Sequence, residues 1–391
     1  MPIKVYFDYT ATTPIDPKVL SAMLPYLRKD FGNASSIHQL GQISRAGIDR
    51  AREEAADFLG CQPQEIIFTG SATEADNLAI QGIIKKENPH IITSSVEHHA
   101  VWELCQVLGK KGLAEVTYLP VDREGIVNAS DFKKAIKPNT ILASIIYANN
   151  EIGTIQPIKE IGSIIKKANS QERKNKIYFH TDAVQAANYL DCKVEKLGVD
   201  LLTLSSHKIY GPKGVGLLYV KRGTPVKPLI YGGGQEGGLR SGTENVAGIV
   251  GFGAAVAEIQ NPRTKIKNIK IRQLRDKLIK GVFKRISDVK LNGSKDLRLP
   301  NNINLSFRGA EGEAIVIALD QKGVAASTGS ACSAKSLEPS HVLLALGMSD
   351  EEAHGSLRLS LGKYTTEEEI NKVLKILPSI VERLRKISGI R

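Results

Sequence analysis

The strongest constraint on the fold is the alternation of short apolar runs with longer, helix-like stretches between about residues 60 and 260. The seven apolar runs are 65–70, 90–98, 115–120, 141–150, 176–182, 200–208 and 215–220. Strands that are covered on both faces read as continuous apolar runs. The intervening stretches 72–86, 99–111 and 157–169 predict helices. This rhythm predicts an α/β fold with a mainly parallel, seven-stranded sheet that helices cover on both faces.

A second, smaller α/β region follows a strongly basic segment. Its predicted strands are 299–307 and 356–362, and its predicted helices are 311–322 and 366–387. The chain of 391 residues is long enough for two such domains, each with a core of its own.

Cysteine spacing and apolar run length narrow the class of protein. The four cysteines, Cys61, Cys105, Cys192 and Cys332, form no C-x-x-C pair and no metal-ligand pattern. The N-terminus lacks the pattern of a signal peptide, and no apolar run approaches the roughly 20 residues of a membrane span. We therefore expect a cytoplasmic protein with free thiols, no bound metal and no contact with a membrane.

The net charge of +12 raises the question of an acidic partner. Residues 261–285 hold ten Lys or Arg and one acid. Ile266, Ile269, Leu274, Leu278 and Phe283 recur at helical spacing there, which predicts an amphipathic helix with a solvated basic face. Because no nucleic-acid-binding motif accompanies the charges, the sequence does not favour direct nucleic-acid binding.

Polar residues follow five of the predicted strands. They lie in the stretches 69–74, 97–99, 149–151, 180–185 and 205–208. Ligands of open α/β sheets collect beyond the carboxyl ends of the strands. Each polar group alone has an ordinary explanation as a helix cap or a buried hydrogen-bonding group. Five such groups at one edge of a sheet together predict a binding site.

These groups fit one ligand. The stretch 70–73 opens a predicted helix, whose free N–H groups favour a phosphate. Asp182 could hold a protonated pyridine nitrogen, and His98 could stack on a flat ring. Lys208, in SSHKIYGPKGVG, could form a Schiff base with an aldehyde. The sequence therefore predicts pyridoxal 5′-phosphate as the cofactor.

The ordered motifs GSATEADN, EHHA, NNEIG, HTDAVQ, SSHKIYGPKGVG and RSGTEN resemble the aminotransferase class V family. The stretch 329–347, with SLRLSLG at 356–362, is similar to the cysteine desulfurases of that family, of the type with a GSACS loop. The likeness runs along essentially the whole chain. It implies a fold-type I pyridoxal-phosphate-dependent transferase, with a large cofactor-binding domain over 15–260. The small domain would comprise 1–14 and 261–391 and carry the catalytic cysteine loop.

The resemblance also implies roles for individual residues. Lys208 would carry the cofactor and later move protons, and His98 would stack on the ring and act as an acid or base. The implied cofactor-binding residues are Ala72, Thr73, His98, Asn150, Asp182, Gln185, Ser205, His207, Lys208 and Thr243. Thr243 would reach the phosphate of the other subunit, which implies an obligate homodimer.

The resemblance implies L-cysteine as substrate. Cys332 would attack the sulfur of cofactor-bound L-cysteine, which leaves L-alanine and a persulfide on the enzyme. Arg358 would bind the substrate carboxylate, and Asn33 would lie near the substrate. The chain ends at Arg391, short of the tail expected of iron–sulfur housekeeping members. The sulfur acceptor therefore stays open between an iron–sulfur scaffold, a tRNA-thiolation enzyme and a dedicated partner.

Alternative functions remain at this stage. An aminotransferase of class V would not need Cys332, whereas a selenocysteine lyase would release alanine but reject cysteine. A non-catalytic scaffold protein would have no need of Lys208, Asp182 and Arg358 together. A nucleic-acid binder that uses the basic helix would show a steep salt dependence of binding. We rank all four below the desulfurase.

Overall fold

The computed structural model of the protein describes residues 4–84, 88–173, 175–329 and 338–389. None of the helices in these ranges combines the length and the apolar composition needed to cross a membrane. The predicted segment that holds Cys332 lies outside the described residues.

The elements follow the predicted order. The strands of the described ranges are β1 (Val5–Tyr6), β2 (Ile66–Thr69), β3 (His90–Ser94), β4 (Glu115–Leu119), β5 (Thr140–Ser144), β6 (Tyr178–Asp182), β7 (Leu201–Ser205), β8 (Gly216–Val220), β9 (Val289–Leu291), β10 (Asn302–Phe307), β11 (Val324–Ala325) and β12 (Ser356–Ser360). The helices are α1 (Pro17–Arg28), α2 (Gln39–Leu59), α3 (Ala72–Gln81), α4 (His99–Lys110), α5 (Ala129–Ala135), α6 (Ile158–Asn169), α7 (Val194–Leu197), α8 (Val246–Gln260), α9 (Pro262–Arg285), α10 (Gly312–Asp320), α11 (His341–Ala345), α12 (Asp350–His354) and α13 (Glu367–Ser388).

Local signals set several of these boundaries. The Ser71 hydroxyl accepts a hydrogen bond from the backbone N–H of Glu74 and so caps the start of α3. Thr366 and Glu369 form a reciprocal capping box at the start of α13. The long helix α2 ends at Gly60, whose φ of +70° is a conformation that glycine adopts without steric cost.

The large sheet has the predicted seven strands, in the order β2-β8-β7-β6-β5-β3-β4. Within it β7, β6, β5, β3 and β4 run parallel, and β8 is antiparallel to both of its neighbours. Six strands therefore share one direction, and their carboxyl ends lie at one edge. This confirms the predicted mainly parallel α/β fold.

A separate hydrophobic core lies in the C-terminal part. The antiparallel sheet β12-β10-β9 packs with α9, α10 and α13 around it, and the parallel pair β1-β11 adds Val5 and Phe7 from the N-terminus. We call this cluster the small-domain core. The division into a large domain over 15–260 and a small domain of 1–14 plus 261–391 stays a prediction.

The predicted basic helix is α9, but some of the residues that were predicted to form its buried apolar face are exposed. Ile266, Ile269 and Phe283 are 69%, 61% and 47% exposed. Leu274 and Leu278 are buried as predicted, and Ile271 is buried with them. The reason is that none of the described side chains of α9 before Ile271 is buried against the core, so the apolar residues of the first turns find no packing partner.

Phe7 tests whether the N-terminus belongs to the small-domain core. It is fully buried in that core, so Phe7→Ala should lower the free energy of unfolding by about 3–5 kcal/mol. Leu113→Ala, at a half-exposed position, is the control and should cost less than about 1 kcal/mol. The measurement is urea unfolding of both variants and the wild type. Equal losses in both variants would contradict the assignment.

Candidate active site

A cavity of about 460 Å³ lies at the carboxyl edge of the large sheet. Ten of the predicted site residues line it: Ala72, Thr73, His98, Asn150, Asp182, Gln185, Ser205, His207, Lys208 and Arg358. The polar groups at neighbouring strand ends thus line one cavity, as predicted. Their chemical roles stay predictions.

The sheet explains why these residues meet. Asp182 is the last residue of β6 and Ser205 the last residue of β7, and these two strands are parallel neighbours. Lys208 follows in a short 3-10 turn directly after β7. Because the carboxyl ends of parallel strands lie at the same edge, each of these side chains reaches the cavity without any long loop.

The first turn of α3 borders the same cavity. Ala72 and Thr73 are its first two residues, so their backbone N–H groups have no partner within the helix. Gly216 on β8 lies so close to this turn that a Cβ atom there would be 2.3 Å from the carbonyl carbon of Ser71. The turn is therefore packed tightly against the sheet and offers N–H donors to an anion.

The N-terminal segment crosses over Lys208. The Lys208 ammonium donates hydrogen bonds to the carbonyl oxygens of Thr10 (2.6 Å) and Ala11 (2.7 Å). The Gln185 amide also donates to the Thr10 carbonyl, at 3.1 Å. Thr12 borders the cavity as well, and its hydroxyl lies 3.1 Å from Nδ1 of His207.

Sequence reasoning missed this segment. Asp8 and the residues 10–12 follow the apolar stretch VYF at 5–7 just as the other polar groups follow their strands. The same rule applied to the N-terminus would have found them. The strand is only two residues long, which is why its periodicity gave no signal.

Burial shifts the pKa values of Asp182 and His98, the two residues predicted to contact the cofactor ring. The Asp182 carboxylate accepts a hydrogen bond from the Val184 N–H at 2.9 Å, yet burial raises its pKa to about 6. Burial, reinforced by Lys208 nearby, lowers the pKa of His98 to about 4. At neutral pH His98 is therefore an uncharged ring, able to stack on a flat ligand and to accept a proton.

Arg358 enters the cavity from β12, in the small-domain sheet. It is only 3% exposed, and its Nη1 donates to the carbonyl oxygens of Asn150 (3.1 Å) and Gly329 (3.2 Å). Its Nη2 forms an ion pair with Oδ1 of Asp8 at 3.1 Å. A buried guanidinium held in this way suits the binding of a carboxylate.

Two predicted site residues, Asn33 and Thr243, do not line the cavity, and a third lies outside the described residues. Asn33 is exposed and caps its own turn, with its side-chain oxygen accepting from the Ser35 N–H. Thr243 is exposed in the loop before α8. Cys332 lies outside the described residues. The roles of all three stay predictions.

One strand-end residue was interpreted wrongly. His180 lies within β6 instead of beyond its end, and it is fully buried. Its two ring nitrogens contact the hydroxyls of Ser144 (2.8 Å) and Thr203 (3.0 Å). It belongs to the core of the sheet because a side chain that points into a covered face cannot reach the edge.

The cavity fits the predicted cofactor. Among the described residues, Oδ1 of Asn150 and Nε of Arg358 are buried without hydrogen-bond partners, and both residues line the cavity. Orphaned buried polar groups indicate a missing ligand. The α3 N-terminus suits a phosphate, the Asp182 carboxyl a pyridine nitrogen and the Lys208 amine an aldehyde. The described residues contain no cluster of side chains able to hold a metal ion.

The chain is similar to known proteins over nearly its full length. The aminotransferase class V family matches residues 5–373. The cysteine desulfurase IscS of Dictyoglomus turgidum is 53% identical over 388 residues, which cover 98% of this chain and 96% of the relative. The chain belongs to the aminotransferase class V family.

Solved structures agree with this assignment. A NifS-like protein superposes with a TM-score of 0.89 at 38% identity, over 97% of this chain and 99% of the other. SspA in complex with cysteine superposes with a TM-score of 0.80 at 38% identity, over 93% and 100%. The predictions of the fold-type I architecture and of pyridoxal phosphate as the cofactor of this family are confirmed.

The buried His180 predicts a specific pH dependence of stability. Burial lowers its folded-state pKa to about 3, below the unfolded value of 6.5, so the unfolded chain gains a proton as the pH falls through 6.5. Between pH 7 and pH 5 this residue should remove about 2 kcal/mol of stability. His180→Gln should therefore lose about 2 kcal/mol less over that interval, as measured by urea unfolding. An equal loss in both proteins would mean that folded His180 titrates normally.

Proposed function

We propose that this protein is a cysteine desulfurase, which converts L-cysteine to L-alanine and leaves the sulfur as a persulfide on Cys332. The observation that carries the proposal is the convergence of Lys208, Asp182, His98 and Arg358 on one cavity. This chain is 53% identical, over 98% of its length, to a cysteine desulfurase, and this similarity supports L-cysteine as the substrate. Pyridoxal phosphate, when bound, supplies the electron sink that labilises bonds at the substrate carbons.

Lys208, Asp182 and His98 have different roles in the proposed reaction. Lys208 holds the cofactor aldehyde and moves protons on the substrate, and the carbonyls of residues 10–11 fix the position of its amine. Asp182 would hold the pyridine nitrogen in its protonated form, since a cation beside the carboxylate would offset the cost of burying its charge. The neutral ring of His98 would contact the cofactor ring and act as an acid or base.

Substrate selection combines a carboxylate site and a sulfur acceptor. Arg358 lines the cavity, and its buried Nε has no partner among the described residues, so its guanidinium would bind the α-carboxylate. The Cys332 thiolate would attack the substrate sulfur, so that an S–S bond forms and the C–S bond breaks. The β-carbon would keep the electron pair of that bond and take up a proton, which gives alanine. A selenocysteine lyase remains the second candidate, because it would share the carboxylate site and release the same product.

The persulfide then passes to an acceptor. We propose an iron–sulfur scaffold protein or a tRNA-thiolation enzyme as that acceptor, as the resemblance implies. The described cysteines Cys61, Cys105 and Cys192 are free thiols, which supports a reducing, cytoplasmic location.

Cys332 provides the first test of the function. Wild-type protein with L-cysteine and a reductant should be yellow and form alanine and sulfide. Cys332→Ala should keep the visible absorbance and lose sulfide production, because the sulfur then has no acceptor. Lys208→Ala is the control and should be colourless. Sulfide production by Cys332→Ala at the wild-type rate would favour the lyase.

We also propose that the enzyme is a homodimer whose sites each take Thr243 from the partner subunit. An apolar surface supports an interface: Leu27 and Phe31 at the end of α1 are 59% and 69% exposed, and Ile37 before α2 is 95% exposed. Exposed apolar residues in such a group mark interaction surfaces. Thr243 is exposed too and lies away from the cavity of its own chain, as a residue that acts on a partner would.

Mixed dimers test this arrangement. Lys208→Ala removes the cofactor amine, and Thr243→Val removes the proposed partner contact. Random mixing of the two variants should restore high-affinity cofactor binding at about a quarter of the sites, because one site of each heterodimer is complete. Cofactor binding is followed by visible absorbance. No gain on mixing would mean that Thr243 acts within its own subunit or not at all.

A further inference from the structure

Asp8 lies beside Arg358 in a fixed position. It lies two residues after the end of β1 and forms a parallel β-bridge with Ser360 of β12, the strand that carries Arg358. The Tyr6 hydroxyl lies within hydrogen-bond distance of the backbone carbonyls of Asp8 (3.1 Å) and Thr12 (3.0 Å), which share its one hydrogen. The Asp8 backbone is thus held on both sides, and its carboxylate meets the guanidinium at 3.1 Å.

A count of the Arg358 donors shows what remains for a ligand. A guanidinium has five N–H donors. Nη1 uses both of its hydrogens, on the carbonyls of Asn150 and Gly329, and Nη2 uses one on Asp8. Nε has no partner among the described residues. Two adjacent donors are therefore left, one on Nε and one on Nη2. This edge has the fork geometry that binds a carboxylate through two parallel hydrogen bonds.

We propose that Asp8 is a positioning residue of the substrate-carboxylate site, which orients Arg358 so that its Nε–Nη2 edge faces the substrate. The proposal rests on the proposed function of Arg358 and adds a residue to it. Asp8 does not touch the substrate in this proposal. It acts through the guanidinium.

Two physical arguments support this role. The contacts to Asn150 and Gly329 hold only Nη1. Without Asp8, no described residue would hold Nη2, and the direction of the Nε–Nη2 edge would no longer be fixed. Ordering that edge when substrate binds would then weaken binding. Arg358 is also buried, and Asp8 provides its only ion pair in the described ranges. A buried charge that loses its partner is costly.

The test compares Asp8→Ala and Asp8→Asn with the wild-type holoenzyme. We measure KM and kcat with L-cysteine, and the dissociation constant of the product L-alanine by calorimetry. Asp8→Ala should raise both KM and the L-alanine dissociation constant by about tenfold, the effect of losing one well-aligned charge-assisted hydrogen bond. The kcat should stay within about twofold, because carboxylate binding is the same in the ground and transition states. Asp8→Asn should have a smaller effect, since its amide oxygen still accepts from Nη2.

Two controls separate positioning from a general structural effect. Asp16→Asn breaks a different ion pair, the one between Asp16 and Lys363, neither of which lines the cavity. This variant should leave L-alanine binding unchanged. In an Arg358→Ala background, Asp8→Ala should cause no further change in L-alanine binding, because the group that Asp8 positions is gone. Visible absorbance and thermal unfolding confirm that each variant is folded and loaded.

Several outcomes would overturn the proposal. They are an Asp8→Ala effect below about twofold on L-alanine binding, an equal effect in the Arg358→Ala background, and tighter binding of L-alanine. Tighter binding would mean that Asp8 competes with the substrate carboxylate. A wild-type enzyme that neither turns over L-cysteine nor binds L-alanine would instead refute the proposed function itself.

Discussion

The N-terminal segment 5–13 is the constraint on which the rest of the site depends. Phe7 is anchored in the small-domain core, and the next residue, Asp8, pairs with Arg358. A few residues further on, the carbonyls of 10–11 hold the amine of Lys208, which belongs to the large sheet. One short stretch of backbone therefore contacts both Arg358 and Lys208 and links their positions. Because these contacts are hydrogen bonds from charged donors, small shifts of the segment would change both.

Burial keeps most ionisable groups around this site in their neutral forms. It lowers the pKa of His98 and His207 to about 4 and raises the pKa of Glu97 to about 8. The basic side chains that line the cavity are Lys208, Lys213 and Arg358, beside the one carboxyl of Asp182. A pocket with this balance favours anionic ligands, which suits both a cofactor phosphate and a substrate carboxylate.

The sequence predicted the parts of the protein that follow local rules. Continuous apolar runs identified the strands of the seven-stranded sheet, and the residues after them identified Asp182, Ser205 and Lys208 as neighbours. It did not predict the pairing of Asp8 with Arg358, because the two are separated by 350 positions and β1 has only two residues. The prediction of which residues of α9 face the core was partly wrong for a similar reason. Its first turns extend beyond the core, and periodicity does not tell where a core ends.

The described flanks of the segment that holds Cys332 are tied to the same groups that form the cavity. On one side, the Gly329 carbonyl accepts from Arg358. On the other, the Ser340 hydroxyl donates to the buried Glu151 carboxylate at 2.6 Å, and Nε2 of His341 contacts the carbonyl oxygen of Glu97, which precedes His98. One flank thus contacts Arg358, and the other contacts Glu151 and Glu97, the chain neighbours of the cavity residues Asn150 and His98. Cys332, the residue that we propose as the sulfur acceptor, belongs to the segment between these two flanks.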